Sequence, residues 1–141
     1  MSDSAAGFEE RFVEADGFRM RYLEAGQGTP LVHLHGAGGP RITPAHALLR
    51  RRHRVIAFEM PGFGDSAANE RTRTMPELAA SLAAAIDRLG VDRFDLWGTS
   101  FGGKTALWLA AQQPARVQAL VLEAPGAIRL AGSQPPSGTP E

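Results

Sequence analysis

Phe94-Asp95-Leu96-Trp97-Gly98-Thr99-Ser100-Phe101-Gly102-Gly103 decides how the rest of this chain is read. An apolar run from Phe94 to Trp97 predicts a buried strand, and Lys104 to Gln113, halted by Pro114, predicts a helix. Between them lies a G-x-S-x-G pentapeptide with Ser100 at its centre. The pentapeptide alone is a weak signal, but its placement at a strand-to-helix turn is specific. Such a turn is too tight for side chains at the flanking positions, so Gly98 and Gly102 let Ser100 take a strained backbone and lift its hydroxyl above the carboxyl end of a sheet. A helix starting behind it aims N–H groups and a positive dipole end at the same point.

Working toward the N-terminus, Arg54 to Phe58 and Leu31 to His35 are two further buried strands, separated by a short helix over Pro44 to Leu49. Arg11 to Ala15 and Arg19 to Glu24 flank Asp16-Gly17, the signature of a hairpin. Between the fourth and fifth strands, Thr74 and Glu77 form a capping box. Met75, Leu78, Leu82, Ile86 and Leu89 then recur at helical steps until Gly90. Toward the C-terminus, Val117 to Leu122 is a last strand. After the hairpin, strands and helices alternate, which predicts an α/β fold: a doubly wound, mostly parallel sheet with an N-terminal antiparallel hairpin. The continuous apolar strands from Leu31 onward predict helices on both sheet faces. Residues 1–7 read as a disordered lead-in, 8–130 as the folded core, and 131–141 as a disordered tail or the start of a cap region.

Composition narrows the function. The 141 residues carry 15 Lys+Arg against 15 Asp+Glu, so no basic footprint points to nucleic acid. With no Cys, thiolate catalysis and disulfides are excluded. No window reaches the roughly 18 apolar residues of a membrane span, and Met1 to Ser4 lacks a signal-peptide start, so a cytoplasmic protein without membrane association is expected. No metal-ligand spacing, P-loop or dinucleotide fingerprint is present, so neither a metal nor a cofactor is expected.

The second chemical feature is His35-Gly36-Ala37-Gly38-Gly39. A tetrahedral acyl-transfer intermediate carries a developing O⁻ that needs two backbone donors, and the candidates are the N–H groups of Phe101 and Ala37. Small residues here let a substrate carbonyl approach the backbone.

Three motifs in order carry a family resemblance: the His35-Gly36 loop, the turn Pro61-Gly62-Phe63-Gly64-Asp65-Ser66, and the Ser100 elbow. Over residues ~8 to ~130 the chain resembles the N-terminal portion of the α/β-hydrolase superfamily, in its branch of serine-nucleophile esterases, carbon–carbon bond hydrolases and haloperoxidase-like proteins. The resemblance implies Ser100 as nucleophile, His35 as a loop support, and a structural role for Glu59, where relatives more often carry Asp. It also implies the chain order Ser, then acid, then His. All four histidines, His33, His35, His46 and His53, precede Ser100, so the base is missing. His33 reads as a satisfied core histidine, and the Arg50-Arg51-Arg52-His53-Arg54 run as a solvated strand entrance. Glu123, at the end of the last strand, is the candidate acid.

The expectation is therefore a serine hydrolase acting on a small ester-like carbonyl substrate, read as a truncated chain, inactive or nearly so alone and marginally folded. Its last strand is expected to be an unprotected edge through which copies or a partner chain associate. The alternatives are a non-catalytic binding module, half of a two-chain enzyme, or an acyltransferase or perhydrolase sharing the motifs.

Overall fold

The computed structural model describes residues 7–69 and 72–125. The lead-in apart from Gly7, and the stretch from 126 that includes the predicted tail, lie outside the described residues. Nine elements follow in order: β1 (Glu9–Ala15), β2 (Phe18–Ala25), β3 (Thr29–Leu34), α1 (Pro44–Leu49), β4 (His53–Phe58), α2 (Met75–Arg88), β5 (Phe94–Thr99), α3 (Phe101–Gln112) and β6 (Val117–Glu123).

The strands form one sheet in the order β1-β2-β4-β3-β5-β6. β1 pairs antiparallel with β2, and β2 antiparallel with β4. β3 pairs parallel with both β4 and β5, and β5 parallel with β6. The hairpin turn has positive φ at both central residues, 50° at Asp16 and 80° at Gly17. That geometry matches the strand twist and explains why Asp-Gly stands there. The Ser81 hydroxyl on α2 donates to Asp16 at 2.5 Å and ties the turn to the helix layer.

Side-chain alternation divides the core. Val32, Leu34, Ile56, Phe58, Phe94 and Leu96 pack with Leu78, Leu82 and Ile86 of α2 and Leu109 of α3 on one face. Leu31, Val55 and Ala57 pack with Phe8, Leu23 and Leu49 on the other. Each fully buried residue of this size contributes about 2 kcal/mol through removal of apolar surface from water. β2 departs from simple alternation, because beyond Arg19 nearly every residue is buried, Arg21 included. The buried Arg21 guanidinium pairs with Glu59 at 3.2 Å and Glu10 at 2.6 Å.

Two expectations need correction. α3 starts at Phe101, not Lys104, because the chain passes from Ser100 directly into helix: the Gly103 and Lys104 amides already donate to the Ser100 carbonyl at 2.9 and 3.2 Å. The covering of strands on both faces fails at β6, where Leu120 and Val121 are 36% and 56% exposed. Among the described residues β6 is paired on one side only, and the face carrying Val121 borders an open hollow whose far side is formed by Ala45 and Leu49 of α1.

Candidate active site

Ser100 sits between β5 and α3 at φ 52°, ψ −112°, with its residue exposed. Positive φ is costly for a non-glycine residue, and here the surrounding backbone enforces it. The Ser100 amide donates to the Glu123 carbonyl at 2.9 Å, locking the elbow to the end of β6. The flanking glycines have a steric reason. A Cβ on Gly98 would lie 2.7 Å from the Gly103 Cα and 2.8 Å from the Ala106 Cβ. A Cβ on Gly102 would run into the carbonyls of Leu34 and His35. α3 therefore packs directly on the end of β3, which carries the His35 loop to the serine. A Cβ on Gly36 would sit 3.5 Å from the Ser100 Cβ.

Ala37 and Gly38 form the centre of a turn closed by the Gly39 amide donating to the Gly36 carbonyl at 3.0 Å. Among the described residues, neither the Ala37 nor the Phe101 amide N–H has an acceptor. His35 is buried beneath this loop. The Met60 amide donates to its Nε2 at 2.9 Å, which makes Nδ1 the protonated nitrogen, donating to the Gly36 carbonyl at 2.6 Å. The ring also meets Phe63 edge-on, with centroids 4.6 Å apart. Burial pushes its pKa down, only partly offset by the Gly36 hydrogen bond, so it stays neutral. Glu59 takes the Asp65 and Ser66 amides on one carboxylate oxygen at 2.6 and 3.0 Å, so it braces the loop after β4.

Glu123 lies at the carboxyl end of β6, one strand over from Ser100. Its Oε1 accepts from the Thr99 hydroxyl at 2.9 Å and the Trp97 indole N–H at 3.2 Å. His33 is buried, 2.9 Å from Thr99 Oγ1 through Nε2 and 2.9 Å from His46 Nε2 through Nδ1. Desolvation, then the neighbouring His46 and His35, lower its pKa to about 3. His46 is buried too, and desolvation lowers its pKa against the opposing pull of Glu123. His53 faces the Leu49 carbonyl at 3.3 Å and Asp95 at 4.0 Å. Every histidine of the chain is thus engaged away from the Ser100 hydroxyl. The linkage of His33 to His46 was not legible in the sequence; the one signal was Thr43-x-x-His46 at the start of α1, a capping box with His in the place of Glu.

A cavity of about 390 Å³ opens at the carboxyl ends of β3, β5 and β6, lined by Gly36, Gly39, Arg41, His46, Trp97, Thr99 and Glu123. Residues 29–140 match the family model of the alpha/beta hydrolase fold. The chain belongs to the α/β-hydrolase fold family. It is 35% identical over 125 residues to the 2-hydroxy-6-oxo-6-(2'-aminophenyl)hexa-2,4-dienoic acid hydrolase of Metapseudomonas resinovorans, covering 84% of this chain and 43% of that protein. It is 36% identical over 125 residues to the dihydrolipoyllysine-residue acetyltransferase component of the acetoin cleaving system of Pseudomonas putida, covering 86% and 34%. A bacterial membrane phospholipase A of known structure superposes with a TM-score of 0.87 at 30% identity, covering 94% of this chain and 44% of that one. The α/β-hydrolase chain described here therefore spans less than half the length of these relatives. Among its described residues no helix is long and apolar enough to cross a membrane.

Proposed function

We propose that the chain carries the nucleophile half of a serine hydrolase acting on an ester-like or related carbonyl. The observation that carries this is the strained, exposed Ser100 elbow with the unpaired Phe101 and Ala37 amides beside it. Ser100 Oγ attacks the substrate carbonyl while its proton passes to an imidazole base. The two amides receive the developing oxyanion. Its collapse breaks the bond to the leaving group, which takes the proton held by the imidazole, and water then cleaves the acyl–Ser100 ester to the acid and free Ser100. Since each histidine in the chain is engaged elsewhere, the base comes from outside these 141 residues, and Glu123 is the acid that orients it. Acyl transfer to water or to another acceptor fits relatives bearing the names hydrolase and acetyltransferase.

Treatment with a fluorophosphonate tests this. Expected is one adduct on the Ser100 peptide, absent in Ser100→Ala, with little or no turnover of a short nitrophenyl ester by the chain alone. No adduct at Ser100 overturns the nucleophile; robust Ser100-dependent turnover without a partner overturns the external base. The open β6 favours a second reading, in which the chain pairs with another chain that completes the site; co-elution of a histidine-bearing partner during size-exclusion chromatography would support it.

A further inference from the structure

Five groups form an unbroken line across the base of the cavity: Thr43, His46, His33, Thr99 and Glu123. The direction of every hydrogen in that line follows from its two ends. Glu123, as a carboxylate, only accepts, so the single hydroxyl hydrogen of Thr99 points at its Oε1, 2.9 Å away. Thr99 Oγ1 must then accept from His33, which places the proton of the neutral ring on Nε2. His33 Nδ1 is left bare, and the 2.9 Å contact with His46 needs a proton on His46 Nε2. That leaves His46 Nδ1 bare as well. Its neighbour at 3.1 Å is the Thr43 backbone N–H, a group that only donates, and the Thr43 hydroxyl is at 2.9 Å. The assignment begun at the carboxylate closes at an amide with no clash of donors or acceptors.

The surroundings hold this line in place. The His33 ring stacks on Trp97 with centroids 3.9 Å apart, and the His46 ring lies 4.7 Å from the same indole. The same Trp97 donates its N–H to Glu123. Two imidazoles aligned head to tail polarise one another and strengthen the final Thr99 donation. Both donors fall on Oε1, and among the described residues Oε2 makes no hydrogen bond.

We infer that His33 and His46 are positioning residues of the Ser100 site: they commit the Thr99 hydroxyl to Glu123 and leave Glu123 Oε2 to accept the N–H of the imidazole that serves Ser100. This rests on Ser100 being the nucleophile. In the step so served, Ser100 Oγ forms a bond to the acyl carbon, the leaving group departs with its electron pair, and the serine proton moves to the imidazole nitrogen facing the serine. The opposite ring N–H stays on Glu123 Oε2. The two histidines touch neither substrate nor reacting atom.

Two measurements test the proposal on the 141-residue chain. Nitrogen-15 correlation spectra of the imidazoles are expected to show His33 and His46 both neutral, protonated on Nε2 and bare on Nδ1; a proton on Nδ1 of either ring overturns it. Free imidazole then stands in for the base in acetylation of Ser100 by p-nitrophenyl acetate. Its acceleration is expected to saturate, and Thr99→Val is expected to weaken it about tenfold, with recovery in Thr99→Ser. His33→Phe should give the same loss and His33→Gln, which keeps a donor toward Thr99, a recovery. Undiminished acceleration in a folded Thr99→Val overturns the positioning role while Ser100 remains reactive to fluorophosphonate. Failure of the fluorophosphonate to label Ser100 removes the nucleophile and the positioning role together, whatever the tautomers are.

Discussion

β4 and β6 have nearly interchangeable sequences and opposite fates. Val55-Ile56-Ala57-Phe58 and Ala119-Leu120-Val121-Leu122 are both four-residue apolar runs. All four residues of the first are buried, at 0–2% exposure, whereas Leu120 and Val121 stand open. The runs differ in their neighbours. β4 has β2 on one side and β3 on the other, with α2 packed over the Ile56–Phe58 face. Among the described residues β6 has β5 alone, and the face carrying Val121 looks into an apolar hollow of about 540 Å³ between Leu31, Leu49, Trp97 and Val121. An apolar run therefore specifies a strand that gains from burial; whether the burial is available depends on what packs beside it.

The sharpest test of the buried side is Gly102→Val. Its side chain would run into the carbonyls of Leu34 and His35, and Leu34 is paired with β4 on one side and β5 on the other. A loss above about 4 kcal/mol, seen as failure to give a cooperative urea transition, is expected. A Gly102→Val chain of normal stability would mean that α3 is not seated on the end of β3. Next in size is the contrast itself. Ile56→Ala should cost about 3 kcal/mol through the cavity it leaves, whereas Val121→Ala should cost less than about 1 kcal/mol. Equal costs by urea denaturation would show that β6 is covered in solution.

How much of this was readable in advance follows the same division. Every strand and helix was legible, because period-2 and period-3.6 patterns, Asp16-Gly17, Thr74 with Glu77, and Pro114 each report local physics. The Ser100 elbow was legible because its glycines answer to contacts within a few residues, Gly98 against Gly103 and Ala106. α3 starts three residues before the sequence pattern predicts because Gly102 and Gly103, poor helix formers, sit in close packing, Gly102 against the end of β3 and Gly103 against Gly98 and Pro125. His33 and His46 were legible singly as a core residue and a helix residue. Their union was not, since it depends on a strand–helix contact that no local pattern encodes.

The buried histidines also give the covered side a pH signature. The His33 pKa falls from 6.5 unfolded to about 3 folded, so the unfolded chain binds the proton more readily. Its stability contribution is intact above the unfolded value and is lost as pH falls from 6.5 toward the folded value of about 3. At about pH 5 the loss is about 2 kcal/mol relative to neutral pH. His35 and His46, also lowered, act in the same direction. Urea unfolding of the chain and of His33→Asn at the two pH values should show a smaller acid loss in the variant. Identical losses would mean that His33 is free to protonate in the folded state.

The smallest expected change in stability lies at the open edge, and there the readout is association. Val121→Lys places a charge on a residue that is already 56% exposed, so urea stability should move by less than about 0.5 kcal/mol. The same lysine sits on the face of β6, beside the edge that no described strand pairs, where charge opposes strand-to-strand docking. If copies of the chain associate through β6, size-exclusion chromatography will show the wild type eluting larger than Val121→Lys, with the difference growing as concentration rises. A wild type and variant that elute alike as monomers would show that exposure alone does not make β6 adhesive. The comparison with β4 would then narrow to packing on one face, with no role for the free edge.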